Sequence, residues 1–429
     1  MIMKKLRYPQ DEGEIRNYLE ERKFNFDTGL NKKVSDIIDQ VQTGGDKALF
    51  SLTRKYDGAE LESLRVSADE LEGEEEISEK LKKSLERAYQ RLQKYYALQG
   101  RAGWIHPELS GRVGEEITPL KRAGLYIPGG KAAYPSSVMM TAVPASIAGV
   151  DKLVAVTPPD QEGNINPVTA KALSMCGVDE VYRIGGAQAV AALALGTETI
   201  NPVDKIVGPG NKFVTMAKKL LYGFVDIDML AGPSEVLIIA DEASRAEFIA
   251  ADMLAQAEHD EEARTAVISS SADVFAAVEE ELEDQLAEIS TASRARAALD
   301  DYGMFIEVEN LDQAVELSND YAPEHLEIQT ENPHALLGSI EQAGSIFLGS
   351  WTPEAAGDYI AGPNHVLPTS GSARFFSPLG VNDFIKSSGR VSFSRSELEE
   401  IGEDVIRIAD AEGLPAHARS VSLRLMGGE

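Results

Sequence analysis

The chain has 429 residues, with 41 lysines and arginines against 70 aspartates and glutamates, so its formal net charge at pH 7 is −29. Nucleic acid and anionic membrane surfaces would repel such a chain, and we expect a small-molecule substrate with no nucleic-acid or membrane partner. The length allows about two to four domains, each able to bury its own core.

A single cysteine, Cys176, excludes an intramolecular disulfide and a multi-thiolate metal site. Because it lies between a helix-like and a strand-like run, we interpret it as a packed residue rather than a nucleophile. No apolar run approaches the length of a membrane span, and early acidic residues at Asp11, Glu12 and Glu14 are unlike a signal peptide. We therefore expect a cytoplasmic protein whose mature chain starts at or near Met1.

Strand-like and helix-like segments alternate along most of the chain. Apolar runs predict strands at 152–157, 180–184, 205–207, 235–240, 265–269, 304–308 and 345–348. Helical patterns between them predict helices at 167–175, 187–195, 212–221, 246–258, 272–286 and 311–318. An acidic run at 72–79 leads into a further helix through Leu81, Leu85 and Tyr89. The alternation predicts an α/β fold with two parallel sheets, each covered by helices on both faces.

The last part of the chain has a different pattern. Leu398, Ile401, Val405 and Ile408 form one amphipathic stripe, and Pro415 opens another helical stretch. We therefore predict a small helical appendage. Candidate hinges are the Gly/Pro-rich stretches at 128–130, 208–210 and 362–363.

The chain has six histidines, and several lie beside carboxylates or amides. Gln256 and His259 are at i and i+3 near the end of a helix that we expect to begin at a capping box at 244–247. Three further pairs are Glu324 with His325, Asp358 with His365, and Glu412 with His417. Judged alone, a histidine is more often a hydrogen-bonded surface or core residue, and we keep that interpretation for His106 and His334. The grouping indicates an active site.

Two glycine-rich turns, at 126–130 and 207–211, would place backbone N–H groups beside the start of a helix, which is a reasonable anion site. As plain tight turns they need no ligand. Neither turn is Gly-x-Gly-x-x-Gly or a Walker A loop, so the residues alone do not show NAD binding.

Several segments in order resemble those of histidinol dehydrogenases, and they extend over nearly the whole chain. They are Gly-Leu-Tyr-Ile-Pro-Gly-Gly at 124–130, Gly-Gly-Ala-Gln-Ala at 185–189, Asp-Lys-Ile-Val-Gly-Pro-Gly-Asn at 204–211, Ala-Gly-Pro-Ser-Glu at 231–235, Leu-Ala-Gln-Ala-Glu-His-Asp at 254–260 and Tyr-Ala-Pro-Glu-His-Leu-Glu at 321–327. Gly-Asp-Tyr at 357–359, Gly-Pro-Asn-His-Val-Leu-Pro-Thr at 362–369 and Glu-Gly-Leu-Pro-Ala-His at 412–417 complete the resemblance.

The resemblance implies a fold of two Rossmann-like parallel-sheet domains that lack the usual glycine fingerprint, with small helical segments at both ends. The corresponding division is an N-terminal helical segment at 1–23, a first domain with the metal and catalytic residues at 24–125 and 235–379, a second domain on the NAD side at 126–234, and a helical tail at 380–429.

The resemblance also implies one zinc ion per subunit, held by the residues that match the family's ligands: Gln256, His259, Asp358 and His417. His417 would reach the site from the partner subunit of a homodimer. Two imidazoles, a carboxylate and an amide oxygen suit a borderline cation and leave room for substrate atoms.

The implied reaction oxidises L-histidinol to L-histidinal and then to L-histidine, and each step gives a hydride to NAD⁺. His325 resembles the family's general base, which we expect to lie close to its ideal pKa without heavy tuning. Glu324 resembles the residue that activates the water adding to the aldehyde. Zinc would orient the substrate through its imidazole and amine.

Further positions match the family's ligand contacts. Substrate contacts correspond to Ser234, His365 and Glu412, together with the four metal ligands and His325. Cofactor contacts correspond to Tyr126, Gln188 and Asn211. A carboxylate at Glu412 suits a cationic substrate amine or imidazole.

Three alternatives remain open from the sequence. A related dehydrogenase would oxidise another alcohol, although Glu412 and His417 in the tail argue against it. A zinc hydrolase would use Glu324 on a metal-bound water, but the sequence lacks His-Glu-x-x-His. A non-catalytic acidic binding module would leave the grouping of histidines with carboxylates unexplained.

Overall fold

The computed structural model describes residues 3–22, 27–72, 77–129 and 133–427. Its strands are β1 (Lys4–Arg7), β2 (Trp104–Ile105), β3 (Arg112–Pro119), β4 (Arg122–Tyr126), β5 (Lys152–Val156), β6 (Glu180–Tyr182), β7 (Lys205–Val207), β8 (Asp226–Ile227), β9 (Glu235–Ala240), β10 (Arg264–Ser269), β11 (Gly303–Glu307), β12 (His325–Gln329), β13 (Ser345–Leu348) and β14 (Ile385–Ser392). Its α-helices are α1 (Glu12–Glu21), α2 (Thr28–Tyr56), α3 (Ala68–Leu71), α4 (Glu79–Tyr96), α5 (Pro135–Ala148), α6 (Pro167–Met175), α7 (Gly186–Leu195), α8 (Lys212–Leu221), α9 (Ala246–Ala257), α10 (Ala272–Leu286), α11 (Ala292–Tyr302), α12 (Leu311–Tyr321), α13 (Pro333–Leu337), α14 (Glu354–Ala356), α15 (Arg395–Ala411) and α16 (Pro415–Met426). Short 3₁₀ turns lie at Ala97–Gln99, Ser372–Arg374 and Val381–Phe384, and a π-helical turn lies at Gly357–Ala361.

A parallel sheet of six strands has the order β1-β11-β10-β9-β12-β13. The chain builds outward from β9 through β10 and β11, then returns to the other side of β9 for β12 and β13. All six residues of β9 are buried, as expected of a strand that helices cover on both faces. Helices α9, α10 and α11 pack on one face, and α1 and α12 pack on the other.

A second parallel sheet of five strands has the order β6-β5-β4-β7-β8. It is wound in the same way, outward from β4 to β6 and then back beside β4 to β7 and β8. Helices α2, α7 and α8 pack on one face, and α4, α5 and α6 pack on the other. In each sheet the winding direction reverses between two central strands, β9 and β12 or β4 and β7, and ligands of doubly wound sheets bind at such points.

The predicted fold class is confirmed: both large sheets are parallel and carry helices on both faces. The sheet membership differs from the predicted boundaries, however. The strand β1 pairs with β11 in the six-stranded sheet, although it falls in the predicted N-terminal helical segment. Helices α2 and α4, predicted in the first domain, pack on the five-stranded sheet. The predicted boundary at 125/126 falls inside β4, which ends at Tyr126. This strand is the central one of its sheet, since β5 and β7 flank it.

The C-terminal helices α15 and α16 pack against each other as a hairpin, so the predicted helical appendage is present. Gly402 allows their close approach, since a Cβ there would lie 2.8 Å from Leu425 Cδ1. The predicted stripe is only partly covered, because Val405 is 36% exposed and Ile408 is 60% exposed. The hairpin follows an antiparallel sheet with the order β14-β3-β2.

Local details test three smaller predictions. Cys176 is buried as expected, and burial raises the pKa of its thiol to about 12. The predicted capping box is wrong: α9 begins after Arg245 without a side-chain cap. Ser244 precedes that position, and its hydroxyl instead accepts from the Asp241 N–H at 2.8 Å and donates to the Gln329 carbonyl. The acidic run leads into α4 as predicted, but its residues 73–76 lie outside the described part of the chain.

Within the described residues, we find no helix long and apolar enough to cross a bilayer.

Candidate active site

A cleft of about 860 Å³ lies between the two parallel sheets. One wall is formed by the carboxyl edge of the five-stranded sheet, through Pro128 after β4 and the 208–211 turn after β7. The other wall is formed by the amino edge of the six-stranded sheet, through Ser234 before β9 and the adjacent pair Glu324 and His325 at the start of β12. The volume suits a small-molecule ligand. The cleft therefore lies between the carboxyl edge of the five-stranded sheet, where its winding direction reverses, and the amino edge of the six-stranded sheet.

A group of potential metal ligands lies in this cleft. Single ligand atoms of His259, Glu354 and Asp358 all lie within 4.8 Å of one another. The Nε2 atom of His259 is 4.0 Å from Asp358 Oδ2, which is long for a hydrogen bond and somewhat wider than the separation of about 3.3 Å between two tetrahedral ligands that each lie about 2 Å from a cation. Gln256, three residues before His259 on α9, is fully buried and also lines the cleft. The chemistry and spacing of these side chains fit a divalent cation such as zinc.

Two backbone features place these side chains. Gln256 lies in the last turn of α9 and His259 just after it, so both point from the same helix end. Asp358 lies in the π-helical turn 357–361, and such turns are frequent at functional sites. The three predicted ligands Gln256, His259 and Asp358 are thus brought together by elements far apart in sequence. Glu354 was not predicted, although its position four residues before Asp358 was the available signal.

The His325 ring is fixed by oxygen atoms around Nδ1. This nitrogen lies 3.0 Å from the Glu235 carbonyl oxygen, 3.6 Å from Glu354 Oε1 and 3.8 Å from Glu324 Oε2. The nearest of these atoms, the Glu235 carbonyl oxygen, can only accept a hydrogen bond, so the proton of the neutral ring belongs on Nδ1. The Nε2 atom then carries the free lone pair, 3.9 Å from Asp358 Oδ1 on the side of the metal-ligand group.

Burial lowers the pKa of His325 to about 4; the Asp358 carboxylate and the Glu235 carbonyl oppose this shift, and His259 and His365 add to it. The expectation of a base close to its ideal pKa without heavy tuning was therefore wrong. The physical reason is the place of His325 at the start of a fully buried strand, where charging the ring is costly. A ring that stays neutral at neutral pH keeps its Nε2 lone pair available to accept a proton.

Glu324 is the second titratable group of the cleft wall. Burial raises the pKa of Glu324 well above its usual value, although its Oε2 accepts a hydrogen bond of 2.8 Å from the Glu235 N–H. The neighbouring carboxylates of Glu235 and Asp358 add to the increase. A carboxyl group shifted in this direction is suited to exchanging a proton with water near neutral pH.

Two predicted substrate contacts also line the cleft. His365 Nδ1 is 3.1 Å from the Asp358 carbonyl oxygen, and its Nε2 is 3.3 Å from the Ser137 hydroxyl. Ser234 lines the same cleft immediately before β9. Ser137, from the first turn of α5, was not predicted because α5 itself was missed in the sequence.

The predicted cofactor contacts are placed less uniformly. Asn211 lines the cleft and caps α8, with its Oδ1 accepting from the N–H groups of Phe213 and Val214. Tyr126 and Gln188 are 4% and 2% exposed, and neither is among the described residues that line the cleft. The Tyr126 hydroxyl accepts from the Gly186 N–H at 3.0 Å, so it braces the turn that opens α7.

The glycine turn after β7 is locked by a buried ion pair that the sequence did not reveal. The Lys218 ammonium is 2.5 Å from Asp228 Oδ1 and donates to the Gly208 carbonyl at 2.8 Å. Asp228 Oδ2 accepts from the Gly208 N–H at 2.7 Å. Gly208 has a φ of +116°, and a Cβ there would lie 2.2 Å from the Tyr126 carbonyl oxygen. The turn therefore requires glycine, and the ion pair holds both sides of its peptide.

The remaining predicted residues, Glu412 and His417, lie elsewhere. Both are exposed on the C-terminal hairpin, and neither is among the described residues that line the cleft. The structure of one chain thus does not bring them to the other predicted site residues.

Two doubly wound sheets, with titratable and metal-ligating side chains gathered in the cleft between them, define an α/β enzyme. The family profile described as Histidinol dehydrogenase matches residues 20–425. The chain therefore belongs to the histidinol dehydrogenase family, a family of oxidoreductases.

Individual relatives agree with this assignment. A histidinol dehydrogenase of Clostridium acetobutylicum is 47% identical over 408 residues, which cover 95% of this chain and 95% of that one. A histidinol dehydrogenase of Heliobacterium mobile is 45% identical over 428 residues, which cover 99% and 100%. The crystal structure of histidinol dehydrogenase from Elizabethkingia anophelis has a TM-score of 0.93 at 37% identity and covers 99% of this chain and 98% of that one. Membership of this family decides against the hydrolase and the binding module.

Proposed function

We propose that this chain oxidises L-histidinol through L-histidinal to L-histidine, the last step of histidine biosynthesis, with NAD⁺ as hydride acceptor and a zinc ion in the cleft. One observation carries the proposal: an imidazole with a free Nε2 and a carboxyl group with a raised pKa stand side by side beside the metal-ligand group. An alcohol oxidation followed by oxidation of an aldehyde hydrate needs both a base for hydroxyl protons and a group that activates water.

The metal would be held by Gln256, His259 and Asp358 of one chain. These offer one imidazole, one carboxylate and one amide oxygen, which leaves positions for a fourth protein ligand and for substrate atoms. When bound, zinc supplies a template that orients the substrate through its imidazole and amine.

The proton steps follow from the positions of His325 and Glu324. In the first oxidation His325 Nε2 accepts the hydroxyl proton of histidinol, and a hydride passes to NAD⁺ from the carbon that bears this hydroxyl. Glu324 then accepts a proton from the water that adds to the aldehyde, while protonated His325 gives its proton to the aldehyde oxygen, so that the hydrate forms and the ring is neutral again. His325 accepts a hydroxyl proton again as the hydrate gives its hydride to a second NAD⁺. Because Nδ1 is held by the Glu235 carbonyl, both proton transfers use the same ring nitrogen.

We place the cofactor on the other wall of the cleft, at the switch point of the five-stranded sheet. Support comes from Gly210, Asn211 and Lys212, which line the cleft where α8 begins. The rigid Gly208 turn beside it allows close approach of a ligand to the backbone. Tyr126 and Gln188 would act by shaping this edge of the sheet, since both are buried and the Tyr126 hydroxyl accepts from the Gly186 N–H.

We further propose that the enzyme is a homodimer in which Glu412 and His417 complete the site of the partner. The C-terminal hairpin buries few of its residues in this chain and exposes apolar side chains: Val405, Ile408, Leu423 and Met426. The metal-ligand group of one chain lacks the fourth predicted ligand, and His417 is exposed on that hairpin. An arm that docks on a second copy would cover the apolar residues and deliver both side chains.

Replacing Glu324 by glutamine should affect the second oxidation far more than the first. An amide cannot accept a proton from water, whereas His325 still accepts one from the alcohol. We expect the NADH yield per histidinol consumed to fall from two toward one, with the second step slowed by about 10²-fold or more. The yield is measured by absorbance with the aldehyde trapped by semicarbazide.

The exposed Glu341→Gln variant is the matched control and should keep the normal yield. An unchanged yield of two NADH in Glu324→Gln, at a normal rate for both steps, would show that another group activates the water.

A further inference from the structure

We propose that Glu354 is a positioning residue that sets the orientation of the Gln256 side-chain amide, so that the amide oxygen faces the metal. The inference rests on the proposed metal site and adds a residue to it. Glu354 is buried at 2% exposure as the first residue of α14, and it lines the cleft. Its role follows from three sets of contacts.

The Glu354 backbone is anchored to β12, the strand that begins at His325. Its N–H donates to Glu327 Oε1 at 3.1 Å, and Glu327 is the third residue of β12. Glu327 is held in turn by the Gln329 amide, which donates to its Oε2 at 2.6 Å and to Asp252 Oδ2 at 2.9 Å. The carboxylate of Glu354 is therefore fixed relative to His325 on the same strand and to α9, which carries Asp252 and Gln256.

The Gln256 amide has one orientation that satisfies its hydrogen bonds. In that orientation its nitrogen donates to Glu354 Oε1 at 2.8 Å and lies 3.2 Å from Oε2 and 3.3 Å from His325 Nδ1. The opposite orientation would set the amide oxygen against carboxylate oxygens. An amide ligates a cation through its oxygen, so the nitrogen needs a separate acceptor. Glu354 provides that acceptor and leaves the oxygen free.

Glu354 also contacts the base side of the site. Its Oε1 lies 3.6 Å from His325 Nδ1, on the same side as the Glu235 carbonyl. A carboxylate there favours the tautomer with the proton on Nδ1, which leaves Nε2 free for the substrate. One buried carboxylate thus supports both the amide ligand and the base, as outer groups commonly do in metal sites.

Glu354 also stands close enough to His259 and Asp358 to be a direct ligand, and an exchange of side chains separates the two roles. The variants are Glu354→Gln, Gln256→Glu and the double variant that exchanges carboxylate and amide. Zinc affinity is measured for each full-length protein by competition with a chromophoric chelator, without substrate or cofactor. Glu341→Gln is the exposed control, and thermal unfolding followed by circular dichroism checks the fold.

We expect Glu354→Gln to weaken zinc binding about 10-fold to 100-fold. In the wild-type background Gln256→Glu places two carboxylates against each other. In the Glu354→Gln background the same change restores a matched carboxylate and amide. The change in zinc affinity that Gln256→Glu causes is compared between the two backgrounds. We expect this change to favour binding at least about tenfold more in the Glu354→Gln background than in the wild-type background.

An equal effect of Gln256→Glu in both backgrounds, in folded proteins, would overturn the proposed pairing. So would complete loss of zinc in both variants that carry Glu354→Gln, because a direct ligand cannot be rescued from position 256. As a second readout, Glu354→Gln should lower kcat while the KM for NAD⁺ stays the same. The zinc measurements need no substrate, so they stand apart from any failure of the wild-type enzyme to oxidise histidinol.

Discussion

Replacing His325 by asparagine should lower the turnover number by about 10²-fold to 10⁴-fold while the zinc content stays at the wild-type level. The ring nitrogen that accepts the substrate proton is lost, but none of the proposed ligands is touched. Asparagine is also uncharged, so the buried start of β12 does not have to hold a new charge. Turnover is measured as NADH formation at saturating histidinol and NAD⁺, and zinc by atomic emission on the same sample.

The exposed His334 provides the matched control, since His334→Asn makes the same chemical change away from the cleft and should leave turnover unaltered. Loss of zinc from His325→Asn, with the protein still folded, would contradict the separation of base and ligands. Near-normal turnover would remove His325 from the base role altogether.

Mixing two inactive variants should restore activity if the site is shared between subunits. His417→Ala removes the ligand that one chain would donate, and His325→Asn removes the base that it would keep. A heterodimer of the two has one site with both residues intact and one site with neither. Random pairing on co-expression should therefore give about a quarter of the wild-type activity, although each variant alone is nearly inactive.

The oligomeric state of each preparation is checked by light scattering. In the control co-expression, His334→Asn takes the place of His417→Ala, because this change should not affect the site. Lack of any recovery in a verified heterodimer would place His417 in the site of its own chain. Full activity of His417→Ala by itself would remove it from the metal site.

The large sheets could be predicted where their strands are apolar. The predicted 205–207, 235–240 and 345–348 agree with the bounds of β7, β9 and β13. In contrast, β12 was missed because three of its five buried residues are His325, Glu327 and Gln329. These polar side chains hide the apolar pattern. Their burial is offset by hydrogen bonds, since the Gln329 amide donates to Glu327 and His325 Nδ1 contacts the Glu235 carbonyl.

Long-range geometry explains the other omissions at the site. The proximity of Glu354 to Gln256 depends on how α14 packs against α9, and a single sequence has no record of that packing. The lowered pKa of His325 comes from burial by the same packing, so an estimate from residue type alone was wrong. The segments around Gln256, His259 and Asp358 were found through motifs, and the fold then brings their side chains into one cleft.

The most direct test of the proposed activity is the ratio of NADH to histidine. The purified, zinc-loaded protein is incubated with L-histidinol and excess NAD⁺, and both products are quantified in the same sample. We expect two NADH for each L-histidine, with activity lost on removal of zinc and regained on its return. NADH without histidine would instead identify a dehydrogenase of another alcohol, and zinc-loaded protein that forms no NADH would contradict the proposed reaction.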